Sequence, residues 1–435
     1  MPGQDTSSFD TVLKTVYGPG LVVLLPTKTK VLDIFQEMDA KEWGGRFVEY
    51  PAMVGRNQGA GWASELGALP AAQRLRHTPV RIPMRYMYGR IGVSAQVMKA
   101  SEGAKNSFAN AMELEMRQLL KTMQSQRGRT IMHDGRGVMS LINDTSPTGS
   151  TTLDIDAPGG VAGATNGGRF INPGDVIAAI APGTGALRSA GSVRTVQSVA
   201  TDGTSLVLDA AMSGAAIADN DFIVKAANTA VTDASDTSYQ KEAMGLLGLV
   251  DDGTNLATLH NVNRTTYPIY QSGRINVNGG LSADVIQRII DLADERGDGE
   301  ISDLIMYQSV RRAYLSMTEG DRRYTAGDLS RPDAGTVAAK RGRLTFGGIP
   351  ITEEKYCPYG TIFAVDRMGM KRFVETPGEW AEESGAVLKQ IGTGNSLQDA
   401  FEAYYRLWEN YHNDYPATCG RLDNVTATIV VAHID

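Results

Sequence analysis

The chain has 435 residues, more than one compact core usually holds, so two or three domains are expected. Hydrophobic residues make up 42% and charged residues 21%, which excludes a disordered chain; 48 glycines and only 7% aromatics point to turns and strands with modest core anchors. A net charge of −7 argues against a general grip on nucleic acid, which needs clustered Lys and Arg, but not against a wall that merely faces it.

Cys357 and Cys419 stand far apart and form no Cys-x-x-Cys unit, so a reducing cytoplasm is the expected compartment. The first ten residues carry no basic stretch followed by an apolar one, so no secretory signal is expected. No window approaches the apolar length that spans a bilayer, and no membrane partner is expected.

In chain order, residues 1–45 mix a polar start, an apolar run at 21–25 and the phrase Pro26-Thr27-Lys28-Thr29-Lys30, and read as an N-terminal arm. Residues 46–100 read as an extended β-hairpin loop. In 80–97 apolar residues fall on alternate positions: Val80, Ile82, Met84, Tyr86 and Tyr88, then Ile91, Val93, Ala95 and Val97. As one strand this run would span ~60 Å, several times the usual length. A partner strand begins at 47–50, and Gly55, Gly59, Gly61, Gly67 and Pro70 give a loose tip. A lone two-stranded ribbon is marginal in water, so this arm needs another surface to lie on. No acid occurs between Glu65 and Glu102, whereas Arg74, Arg76, Arg81, Arg85, Arg90 and Lys99 are basic. A basic arm on an acidic protein suggests an acidic partner, and an identical neighbour supplies one. Glu379, Glu382 and Glu383 are candidates for those acids, from local charge alone.

Residues 101–150 hold a helix capped by Ser101 and stopped by Gly128. Ala104, Phe108, Met112, Met116, Leu119 and Met123 form its apolar face, Glu113 and Arg117 make an i,i+4 pair, and its length is ~40 Å. Residues 151–228 turn Gly-, Ala-, Thr- and Asp-rich. Runs at 193–199 and 204–209 flank Thr201-Asp202-Gly203, a hairpin signal, and the stretch reads as a small inserted β-domain. Residues 229–390 look mixed α/β: Ser282 caps a helix bearing Val285, Ile289 and Leu292, 304–306 form a buried strand, and 309–317 another helix. Residues 391–435 supply C-terminal strands, with Phe401, Ala403, Tyr405 and Leu407 alternating with polar or larger neighbours.

Signals for chemistry are missing. His77, His133, His260, His412 and His433 are widely spaced, none at metal-ligand spacing, and structural or surface roles are expected for them. No Gly-x-Ser-x-Gly elbow, Walker loop or Gly-x-Gly-x-x-Gly fingerprint occurs. Residues 294–305 imitate a calcium loop at Asp298-Gly299 but place Arg296 third and Ile305 twelfth. The adjacent acids Glu353-Glu354 and Glu382-Glu383 read as solvated faces or partners for arginines. No catalysis, cofactor or metal is expected.

The order of arm, long β loop, long helix, mixed α/β region and late strand resembles the major capsid proteins of tailed bacteriophages, with their Hong Kong 97-type fold, over nearly the whole chain. The phrases Gly245-Leu246-Leu247-Gly248-Leu249-Val250, Thr265-Thr266-Tyr267-Pro268 and Arg311-Arg312-Ala313-Tyr314-Leu315 are similar to segments of that family. The resemblance implies an α+β fold with an extended loop over the adjacent subunit, a spine helix, an apical α/β domain and an inserted β-domain. It implies a self-assembling icosahedral head shell of pentamers and hexamers around double-stranded DNA. A portal protein and in some members a decoration protein would be partners, with assembly in the host bacterial cytoplasm. Some members cross-link through a loop lysine; residues 46–98 contain none, so non-covalent contacts are expected. The loop begins close to Met1, so a separate scaffolding protein is expected. An encapsulin compartment with the same fold is the nearest alternative; a secreted β-rich binding protein and an uncharacterised hydrolase stand further off.

Overall fold

The computed structural model describes residues 30–39, 47–55, 59–72, 74–96, 107–144, 149–213, 217–319, 344–382, 387–391 and 399–428, with side chains in the long helix described from Met116 onward. The fold is α+β, with two open sheets, a closed barrel and a projecting ribbon.

The ribbon pairs β2 (Phe47–Gly55) with β3 (Arg76–Pro83), antiparallel, with Phe47 opposite Pro83. The first open sheet runs β1 (Gln36–Asp39), β18 (Met370–Trp380), β20 (Ala400–Asn413) and β19 (Lys389–Gln390), and β4 (Arg85–Ser94) pairs with the other edge of β20. Helix α1 (Ser107–Met132) lies against β4 and buries Met116, Leu120 and Met123 there, with Leu119 packed beside them.

Two expectations are corrected here. The alternating run 80–97 is not one strand: it breaks at Met84, after which β4 leaves the ribbon for the body sheet. Its burial phase shifts at the break. Val80, Ile82 and Met84 are buried, but Tyr86 and Tyr88 face solvent while Gly89 is buried. Helix α1 also runs straight through Gly128, because that glycine is a packing site: a Cβ there would lie 2.4 Å from the Tyr356 ring. Ser101, Ala104, Lys99 and Val97 lie outside the described residues, as do the side chains of Phe108, Met112 and Glu113.

The barrel closes in the order β10 (Phe222–Lys225), β5 (Val138–Ile142), β6 (Thr152–Asp156), β9 (Ser205–Leu208), β8 (Arg194–Val199) and β7 (Val176–Ile180). β8 and β9 flank Thr201-Asp202-Gly203 as the hairpin signal requires. The closing strand β5 lies upstream of residue 151, where composition first changes; its sequence, VMSLI, carries no such signal. Side chains alternate across the wall: Ile177 and Ala179 join the main core, while Ala178 and Ile180 join a separate outer cluster with Val193 and Val231.

The second open sheet runs β13 (Gly273–Gly280), β21 (Gly420–Thr426), β17 (Ile362–Val365), β14 (Asp303–Met306), β16 (Ile349–Glu353) and β15 (Thr345–Phe346). The short helix α2 (Leu246–Leu249) and the two-residue strands β11 (Thr258–Leu259) and β12 (Val262–Asn263) link the barrel to this sheet. Helices α3 (Ala283–Gly297) and α4 (Gln308–Glu319) follow. Ile286, Ile289 and Ala293 from α3 and Val310 and Tyr314 from α4 share a core with Leu304, Met306 and Ile351. Ser282 caps α3 by accepting from the Val285 amide at 3.3 Å.

Candidate functional site

The ribbon is anchored at one end and bare at the other. At its base Val48, Val80 and Ile82 are buried in the main core, each burial worth about 1.5–3 kcal/mol. The Arg81 amide donates to the His260 carbonyl at 3.0 Å, and Asn410 Nδ2 donates to the Pro83 carbonyl at 2.7 Å. Toward the tip the burial vanishes. Met53 and Leu75 are exposed, and Trp62, Leu66 and Leu69 have relative exposures of 105%, 103% and 85%. Those side chains touch little of their own chain, which water penalises unless another surface covers them.

The basic residues divide between ribbon and body. Arg74 and Arg76 are exposed on the ribbon. Arg81 lies over the Phe47 ring, 5.5 Å from its centroid, and its Nε donates to Glu49 at 3.0 Å across the ribbon. Arg85 and Arg90 are not on the ribbon, a correction that follows from the break at Met84: both belong to β4. Arg90 pairs with Glu402 on β20. Arg85 lines a groove of about 760 Å³ between β4, α1 and residues 235–243, beside Met123 and Lys241. Burial lowers the Arg85 pKa, and no acid among the described residues pairs with it. Of the three candidate acids, Glu379 receives Arg406 Nε at 2.8 Å within its own chain, Glu382 is also engaged, and Glu383 lies outside the described residues. A sequence reading could not see these pairings, because strand register decides them: Glu379 faces Arg406 across β18–β20, and Arg90 faces Tyr404, diagonal to Glu402, across β4–β20.

Buried ion networks lock the frame that carries the ribbon. Glu409 on β20 receives Arg127 Nε and Nη2 at 2.6 and 2.7 Å, Arg372 Nε at 2.7 Å and the Tyr411 hydroxyl at 2.6 Å. Burial would raise its pKa, but the two guanidiniums and these hydrogen bonds outweigh it and hold the carboxyl below its usual range. Arg372 reaches on to Glu37 at 2.8 Å, so α1, β1, β18 and β20 share one charge cluster. The family-like phrase at 245–250 folds as α2, where Gly245 permits close approach: a Cβ there would meet the Thr130 carbonyl oxygen at 2.2 Å. The buried Arg264 and Arg421 cap the carbonyls of residues 247–250, and Asp251 receives Arg421 Nη2 at 2.9 Å.

Among the described residues no three His, Cys, Asp or Glu side chains are grouped to hold a metal ion, and no helix is long and apolar enough to cross a membrane. His260 and His412, remote in sequence, stack with ring centroids 4.9 Å apart, a contact no spacing rule could reveal.

No family model and no curated protein matches the chain. Among solved structures it is similar to the "Cyanophage A-1(L) capsid asymmetric unit", at 11% identity and a TM-score of 0.47, covering 88% of both chains. It is similar to the capsid of a native GTA particle at 10% identity and a TM-score of 0.46, covering 93% of this chain and 92% of that one. It is also similar to the holo-SrpI encapsulin of Synechococcus elongatus PCC 7942, at 9% identity and a TM-score of 0.43, covering 94% and 91%. With TM-scores below 0.5, the functional reading rests on this chain's own geometry.

Proposed function

We propose that the chain is the major capsid protein of a tailed double-stranded DNA phage, a structural subunit with a Hong Kong 97-like fold and no enzymatic role. One observation carries the reading: a ribbon rooted in the core whose tip presents Trp62, Leu66 and Leu69 to solvent. A neighbouring copy is the covering surface that an identical-subunit shell supplies. In this reading the six-stranded sheet with α3 and α4 is the apical domain around which pentamers and hexamers form. Helix α1 and the first sheet are the peripheral domain, and the barrel is the inserted domain. Ribbon residues Arg74, Arg76 and Arg81 approach acids of the neighbour, and Arg85 in its groove receives another. Glu379, Glu382 and Glu383 remain the proposed acids, with Glu379 exchanging or sharing Arg406.

Residues 46–98 contain no lysine, so the shell is held by many weak contacts whose repetition supplies the stability. The acidic chain encloses DNA without gripping it. A separate scaffolding protein, a portal and a decoration protein complete the proposed set of partners, with assembly in the host cytoplasm. The test is sedimentation and negative-stain microscopy of the purified protein. Megadalton icosahedral particles are expected, and a protein that stays monomeric with scaffolding protein present overturns the reading. An encapsulin would form particles too, but would load a cellular cargo protein and no DNA.

A further inference from the structure

We propose that the stacked His260–His412 pair is an acid-released latch for the base of the β2–β3 ribbon. It concerns the single chain and stands whether or not a shell forms.

The pair sits where the ribbon meets the body. His412 on β20 is fully buried, and its Nε2 shares a hydrogen bond with the Tyr270 hydroxyl at 3.0 Å. His260 is buried on the tight turn between β11 and β12, and its carbonyl receives the Arg81 amide of the ribbon. Tyr50, on the other ribbon strand, packs edge-on against His412 at 5.7 Å and donates to Asp414 Oδ1 at 2.6 Å. Each strand of the ribbon is therefore tied to one histidine or its immediate partner.

Two details make the pair unusual for packing alone. Among the described residues neither ring nitrogen of His260 finds a hydrogen-bond partner, nor does His412 Nδ1. The turn also holds His260 and Asn261 at φ 45° and 73°, left-handed conformations that a histidine adopts at some cost.

The surroundings oppose a proton on either ring. Arg85 from β4, Arg264 after β12 and Lys371 from β18 are the cations that face the pair. Among the described residues Asp414 is the acid beside them, its Oδ1 3.6 Å from His412 Nε2 but already engaged by Tyr50 and Lys371, and Tyr50 and Tyr270 are neutral. Burial, then His412, Arg85 and Arg264, hold His260 well below the usual histidine range; burial, then Lys371 and Arg264, push His412 down to about 3. The closed latch therefore requires both rings neutral, whereas a ring that reaches water titrates near 6.5. Protons then bind the open state only, so closure is fully favoured above pH ~6.5 and weakens as pH falls toward 3. At pH 5 the opening constant rises roughly 30-fold for each histidine exposed. The buried Val48, Val80 and Ile82 oppose full detachment, so the response is a rise in opening frequency.

Hydrogen exchange on the full-length protein at pH 7 and pH 5, corrected for intrinsic rates, tests this. The Arg81 and Tyr50 amides are expected to open at least ~25-fold more often at pH 5 than at pH 7, while the barrel amide of Ile223 changes little. In His260→Asn/His412→Gln the ratio should fall to near one. If that variant does not fold, His260→Asn alone, with the side chain best suited to the turn, should lower the ratio about 25-fold. Equal opening at both pH values overturns the latch. So does an unchanged ratio in the variants, or an Ile223 response as large as that of Arg81, which would mean global unfolding.

Discussion

Glu409 shows how much of this molecule hangs on single buried charges. It neutralises Arg127 and Arg372 together, with all three side chains nearly out of water. Glu409→Gln leaves buried Arg127 without a counter-charge and Arg372 with Glu37 alone, and should cost about 3–5 kcal/mol, read from denaturant midpoints. Because the folded carboxyl titrates below its ordinary value of 4.5, its contribution is complete above that pH and is lost as pH falls through the depressed value. Arg169 is a second case. Fully buried, it lies 4.7, 4.8 and 4.3 Å from the ring centroids of Phe170, Tyr307 and Tyr359, and donates to the Cys357 carbonyl at 3.1 Å. It thereby fastens the barrel to the segment before β17. Arg169→Lys keeps the charge but loses the planar stack and should cost about 2–4 kcal/mol, with faster amide exchange in β6 and β7 as the local sign. The types of these residues are legible in the sequence, but their burial is not. Partners 282 and 188 positions away meet only through the tertiary fold.

At the scale of elements, periodicity was a good guide to type and a poor one to extent. The N-cap and apolar face of α3, the β8–β9 hairpin and β20 were readable because each carries its own local signal. Gly128 misled for a physical reason: a glycine in a helical pattern signals an end only when nothing packs against it. Gly128→Ala should gain about 1 kcal/mol of helix propensity yet lose more to the clash with Tyr356, a net loss of about 1–3 kcal/mol. In a Tyr356→Ala background the same change should be neutral or stabilising, a sign reversal that a double-mutant cycle would measure. The run through Met84 misled in another way. The apolar parity changes only between Tyr88 and Ile91, so nothing local shows that the phase already slips at Met84 and turns Tyr86 and Tyr88 outward.

For the whole molecule, the ribbon tip and the body answer to different demands. Trp62, Leu66 and Leu69 contribute almost nothing to their own fold, so replacing all three by serine should leave the melting temperature within a few degrees. The same variant should fail to form particles under conditions where the parent protein forms them, as seen by negative-stain microscopy. Normal particles from it would remove the ribbon from the assembly mechanism. Charge reversal at Arg81 and Arg85 should likewise leave soluble, folded subunits, since Arg81 is exposed and no acid among the described residues pairs with Arg85. Its effect on assembly should weaken as salt screens the contacts.

By itself the sequence determined the order of strand and helix types, the acid-free stretch from 66 to 101 and the lack of a lysine in residues 46–98. These are local or compositional properties, written in adjacent residues. The tertiary structure alone decided that the alternating run divides between ribbon and sheet, that β5 closes the barrel, and which acid each arginine meets. It alone stacked His260 on His412. Those outcomes depend on register and on burial by distant segments, and a one-residue shift in pairing reverses the face of every side chain that follows.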